Sequence, residues 1–176
     1  MQHIDDKISI LKGSLTEFKN FPKQGILFRD LNPLYKNKHM LKLLLEVMAE
    51  KVKKLGTFDY IAGIEARGFI LGVALAHEID CGFIPVRKKG KLPGKTKIVE
   101  YALEYGTDAI EIQEDKTLNN SRILIVDDVY ATGGTMKAAV ELIGHVSTIK
   151  PSILVAMDIE ISNIKDLNIP YAVALK

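Results

Sequence analysis

A chain of 176 residues, 47% hydrophobic and 26% charged, is the size of one domain and can bury a substantial core. A formal net charge of +2 is too small to argue for nucleic acid, which would call for a clustered basic face. The lone Cys81 excludes an intramolecular disulfide, the acidic start lacks the apolar run of a secretory signal, and no apolar run reaches a membrane span, so a soluble cytoplasmic protein is expected.

Ile4, Ile8, Leu11, Leu15 and Phe18 recur at spacings of four and three, which predicts one amphipathic helix despite Gly13 inside it. A turn at residues 21–25 leads into a short apolar run, 26–28, that stops at Arg29 and Asp30. A second helix is predicted from about His39 to Leu55, with Leu41, Leu44, Leu45, Met48, Val52 and Leu55 on one face. Lysines 51, 53 and 54 suit the negative end of its dipole, and Gly56 follows as a cap. Beyond this point strands alternate with helices. Strands are expected at 60–64, 82–86, 98–104, 123–126, 152–158 and 171–175, with helices at 69–77 and 135–144. That order implies an α/β fold, a parallel sheet with covering helices, in a single domain. Ligands of such sheets bind outside the carboxyl ends of the strands, which directs attention to the loops after Ile64, Val86 and Val126.

After Val126 the chain reads Asp127, Asp128, Val129, Tyr130, Ala131, Thr132, Gly133, Gly134, Thr135, and then a helix. Glycines let backbone N–H groups approach an anion closely, threonine hydroxyls add donors, and a helix N-terminus favours negative charge. The acids would repel that anion but suit neutral hydroxyls, a cation or developing positive charge. The turn alone would equally serve as a helix cap. Joined to two acids on an apolar strand, it fits a molecule with a phosphate at one end and a hydroxyl-bearing ring nearby, such as ribose 5-phosphate.

Residues 123–135, ILIVDDVYATGGT, resemble the PRPP-binding signature of the type I phosphoribosyltransferases. The resemblance implies that Ala131, Thr132, Gly133, Gly134 and Thr135 wrap the 5-phosphate and that Asp127 and Asp128 address the ribose hydroxyls. It also implies a sheet of about five parallel strands under a small N-terminal hood, residues 1–35, with the core at 36–176. Three further segments are similar to adenine phosphoribosyltransferases in particular. Gly63 to Phe69 resembles their pyrophosphate loop, which gives Arg67 the leaving group and leaves Glu65 where an acid is frequent. RKKGKLPG at 87–94, followed by LEYG at 103–106, resembles their mobile flap. Arg87, Lys88 and Lys91 then meet pyrophosphate, Glu104 is the catalytic acid/base for the purine imidazole proton, and Tyr105 belongs to the closing flap. The same basic loop is not a nucleotide P-loop, because three residues rather than four separate its glycines and no helix follows. FPKQGILFRD at 21–30 resembles the hood segment, in which main-chain groups at Leu27 and Arg29 read the purine edge while Phe28 packs on its face. Adenine's amino donor beside a ring acceptor matches an extended chain's carbonyl and N–H.

The activity so implied joins adenine to PRPP, releasing pyrophosphate and forming AMP, with Mg²⁺ as cofactor and a homodimer as the working form. No dedicated metal motif is present: His3, His39, His77 and His145 match no ligand spacing. Transfer to another base such as xanthine, and a PRPP-sensing regulator without catalysis, are the competing expectations. No nucleic acid or membrane partner is implied.

Overall fold

The computed structural model describes residues 3–21, 24–25, 27–102, 106–159 and 161–176. In chain order they form α1 (Ile4–Gly13), β1 (Thr16–Lys19), β2 (Leu27–Asp30), α2 (Asn32–Lys36), α3 (Lys38–Leu55), β3 (Tyr60–Ile64), α4 (Arg67–Ile79), β4 (Gly82–Lys88), β5 (Thr96–Ala102), β6 (Thr107–Gln113), β7 (Ile123–Tyr130), α5 (Gly134–Gly144), β8 (Ser152–Asp158) and β9 (Tyr171–Val173). Seven strands make one sheet in the order β5-β6-β4-β3-β7-β8-β9, and β1 pairs with β2 in a separate antiparallel ribbon.

The run β4-β3-β7-β8-β9 is parallel throughout, the five-stranded core that the resemblance implies. Its strands alternate between two apolar faces. On β7, Leu124 and Val126 join the cluster under α1, α3 and α4 with Leu11, Leu44, Met48, Leu71 and Leu75. Ile123 and Ile125 point the other way, to Met136, Ala139, Leu142 and Ile143 of α5. Helices on both faces explain why these strands read as continuous apolar runs. Asn37 caps α3 by accepting from the N–H groups of His39 and Met40. Among the described residues no helix is long and apolar enough to cross a membrane.

The structure corrects several expected elements. The first apolar stripe does not make one helix: α1 ends at Gly13, and Phe18 stands on β1 opposite Phe28. Spacing alone carried the stripe too far, because a helix and a strand can share a short run of apolar positions. The strand expected from Ile98 begins two residues earlier, at Thr96, as β5, and it forms an antiparallel hairpin with β6, an element not expected from the sequence. β7 runs on to Tyr130, so the acidic pair sits within the strand rather than after it.

Candidate functional site

β4, β3 and β7 are neighbours and parallel, so the loops after them open on one edge of the sheet. At that edge the chain crosses from one side of β3 to the other, which leaves a crevice. The turn after β7 reaches α5 through Gly133, whose φ of +82° is easy only for glycine. Gly133 provides no side-chain cap. The first amides of α5 therefore face outward with no partner inside the helix, as an anion site requires. Thr132 is exposed at the mouth. Ser162 donates to the carbonyl of Ala131 at 2.9 Å and fixes the turn from behind.

The start of α4 closes against the same strand. A Cβ on Gly68 would stand 2.7 Å from the Val126 carbonyl oxygen and 3.1 Å from Oδ1 of Asp127, so only glycine permits this approach. The closeness places Arg67 against Asp128, where Nε of the guanidinium forms an ion pair with Oδ2. Asp128 is only 3% exposed, while the Arg67 side chain is 54% exposed. Burial, and then the charge of Asp128 beside it, pushes the Asp127 carboxyl above the usual carboxylate range. Burial also raises Asp128, and Arg67 opposes that rise. Two acids this close resist holding two negative charges, which makes the pair receptive to hydroxyls or a cation.

A small cavity of about 20 Å³ lies beside this ion pair, and its lining includes Phe28, Arg29, Tyr35, Arg67, Asp128 and Val129. The Tyr35 hydroxyl is buried there and has no hydrogen-bond partner among the described residues. Burial, with Asp128 as the next cause, holds its pKa well above the usual phenol value, so it is a neutral donor. Leu27 lines a larger cleft of about 600 Å³ with Met157, Asp158, Ile159 and Ile161. Of the three residues expected at the base, Phe28 borders the small cavity, Leu27 the larger cleft and Arg29 both. Leu27 and Arg29 share one phase of the β1–β2 ladder, and that ribbon leaves one edge of β2 open, as main-chain reading of a purine requires. Arg29 itself donates to Glu17 at 3.0 Å.

The basic loop is organised by acids that the sequence reading did not assign. Glu65 accepts from Arg87 at 3.2 and 3.3 Å and from the N–H of Lys88 at 3.0 Å. Arg87, the residue expected at pyrophosphate, also donates to the carbonyl of Lys91. The guanidinium holds the Glu65 carboxyl below the usual range. Glu111 on β6 is 2% exposed, and its Oε1 accepts from the N–H groups of Lys91 and Leu92, each at 2.7 Å. Burial pushes its carboxyl up, but these amides outweigh that and leave it below the usual value. Lys88 pairs with Asp108 at 3.0 Å. Asp108 also accepts from the Tyr101 hydroxyl, which in turn accepts from Thr135, both at 3.4 Å. Loop and phosphate turn are thus linked through β5 and β6.

Glu104 and Tyr105 lie outside the described residues, as do residues 22, 23 and 26 of the hood segment. Tyr130 is 3% exposed and lies under Gly133, beside a further cleft formed with Thr132, Lys137 and Ser162. Glu111 had a signal in the sequence, an acid within the alternating run TDAIEIQ; nothing local marked Tyr35.

A family profile for the phosphoribosyl transferase domain matches residues 30–162. An adenine phosphoribosyltransferase of Brachyspira hyodysenteriae is 50% identical over 133 residues, 76% of this chain and 78% of that protein. One from Xanthomonas euvesicatoria is 54% identical over 128 residues, 73% of this chain and 68% of that protein. Among solved structures, the Saccharomyces cerevisiae adenine phosphoribosyltransferase, complexed with adenine and an imino-altritol bisphosphate, superposes with a TM-score of 0.90 at 34% identity, covering 97% of this chain and 99% of that one.

Proposed function

The chain belongs to the adenine phosphoribosyltransferases within the phosphoribosyl transferase domain family, and from that membership we propose how its site joins adenine to PRPP. The observation that carries the reading is the pairing, on one strand end, of an outward-facing helix N-terminus with the buried acids Asp127 and Asp128. The products are AMP and pyrophosphate, the chemistry of purine salvage.

The 5-phosphate sits at the turn of Ala131, Thr132, Gly133, Gly134 and Thr135, held by amides and hydroxyls. The ribose hydroxyls lie against Asp127 and Asp128. Adenine enters between the hood strand β2 and the end of β7, its edge read by the main chain at Leu27 and Arg29 and its face packed by Phe28. As the bond to pyrophosphate lengthens, positive charge grows on the ribose beside the acids. Negative charge grows on the leaving group beside Arg67 and the loop cations Arg87, Lys88 and Lys91. Fixed charges of opposite sign at the two ends stabilise that separation. Glu104 accepts the imidazole proton of adenine, and Tyr105 closes with the flap.

Mg²⁺ suits this donor set. Pyrophosphate oxygens and ribose hydroxyls are hard ligands of the kind this ion prefers, Asp127 and Asp128 would stand beside it, and when bound it would neutralise pyrophosphate charge. A homodimer is the proposed working form; Ile70 and Val73, one turn apart on α4, are about half exposed and offer an apolar face. A phosphorylated substrate that does not cross membranes places the reaction in the cytoplasm.

The test is release of pyrophosphate on mixing the protein with adenine, PRPP and Mg²⁺, with hypoxanthine, guanine and xanthine as competitors. Adenine should be preferred, because a 6-oxopurine reverses the donor pattern and leaves buried groups unpaired at about 1–3 kcal/mol each. Preference for xanthine would overturn the base assignment; binding of PRPP without turnover would favour a sensor.

A further inference from the structure

The cavity beside the acidic pair contains a donor that the mechanism above does not use. The Tyr35 hydroxyl is buried without a hydrogen-bond partner among the described residues, although it shares a space of about 20 Å³ with Arg67 and Asp128. Leaving a buried hydroxyl unpaired is unfavourable, and a phenylalanine would fill the same volume without that cost. The polar atom therefore calls for a partner in some other state of the site.

The ion pair beside it suggests which state. Arg67 is over half exposed and Asp128 is almost wholly buried, so the cation can follow a ligand and the acid cannot. Pyrophosphate carries more negative charge than one carboxylate and matches the guanidinium fork. When Arg67 turns to it, Asp128 loses its charged partner while remaining buried. Asp127 and Asp30, which also act on Tyr35, are acids and cannot replace that partner, and Arg29, the other cation of the cavity lining, is paired with Glu17.

We propose that Tyr35 is a positioning residue: its hydroxyl takes over the hydrogen bond to Asp128 when Arg67 moves to the pyrophosphate of PRPP. The donor is held in reserve in the free protein and engaged only when a pyrophosphate is present. It keeps the Asp128 carboxylate oriented toward the ribose during the step in which charge develops there. This rests on the proposed activity, from which it takes the leaving group's identity.

Tyr35→Phe removes the hydroxyl and little else. The expected result is a melting temperature of the free protein equal to or above that of the wild type. KM for PRPP, and KM for pyrophosphate in the reverse reaction, should each rise by about tenfold, the order of one hydrogen bond to a charged group. The Kd of AMP, which carries no pyrophosphate and leaves Arg67 on Asp128, should not change. In an Arg67→Met background Asp128 already depends on Tyr35, so adding Tyr35→Phe should lower the melting temperature of the free protein. A loss of stability from Tyr35→Phe alone would overturn the proposal. So would equal weakening of AMP and PRPP, an unaltered PRPP KM, or no effect on stability in the Arg67→Met background. A wild-type protein that neither binds PRPP nor releases pyrophosphate would instead count against the activity, and the stability comparison would still judge Tyr35.

Discussion

Gly133→Ala tests the phosphate turn at its tightest point. The added Cβ would lie 2.5 Å from the Tyr130 hydroxyl, 3.0 Å from Cζ of the same ring and 3.1 Å from Oγ of Ser162. None of these can retreat easily. Tyr130 is packed in the cluster with Met136 and Val155, and Ser162 is tied to the Ala131 carbonyl. A φ of +82° costs an L-residue about 1–2 kcal/mol by itself. Overpacking adds about 1–2 kcal/mol more, at the lower end of its usual range. The total, about 2–4 kcal/mol, corresponds to a fall in Tm of about 6–12 °C for a domain of this size. Because the first amides of α5 are set by this residue, AMP affinity should drop by at least about tenfold as the phosphate loses aligned donors. Thermal unfolding and AMP calorimetry read the two effects separately. In a Tyr130→Phe background the nearest contact disappears while those at 3.0 and 3.1 Å remain, so the same alanine should cost less, by up to about 1 kcal/mol. Equal losses in both backgrounds, or a wild-type Tm for Gly133→Ala, would refute the reasoning.

Glu104→Gln should lower turnover by about two to four powers of ten while PRPP affinity changes little, and steady-state kinetics checks it. Glu111→Leu leaves the amides of Lys91 and Leu92 without their acceptor, at about 1–3 kcal/mol each, and should raise KM for PRPP with a lower Tm. Glu65 is held below its ordinary 4.5 by Arg87, so its contribution to stability is complete above that value and is lost as pH falls through the lowered one. Urea midpoints of the wild type and Glu65→Gln should therefore converge as the pH is taken below 4.5, whereas a gap that persists in acid would contradict the pairing.

What was legible in the sequence was local. The strand, the acids and the glycine turn are consecutive in the chain, so residues 123–135 could be read almost as they fold. Half of the arm β5–β6 was not legible because Glu111 is an acid in a buried strand; its partners there are the amides of Lys91 and Leu92, some twenty residues away in sequence. Phe18 kept the spacing of a helix while its partner, Phe28, settled it on a ribbon. Tyr35 could not be found at all. Its importance comes from sharing a cavity with Arg67 and Asp128, and only the fold brings those three together. Leu27, Phe28 and Arg29 adjoin in the chain, yet Leu27 borders one cleft, Phe28 the other and Arg29 both, a division that only the fold reveals.

The ribbon of β1 and β2 stands apart from the main sheet, and among the described residues no third strand braces it. A pair of that kind is only marginally stable unaided, which makes it one of the segments that opens most readily under native conditions. A flat aromatic ring slid beneath it would supply the missing layer. Capturing the base is then partly an act of folding, and backbone amides of residues 16–19 and 27–30 should exchange their hydrogens more slowly once the ring is in place.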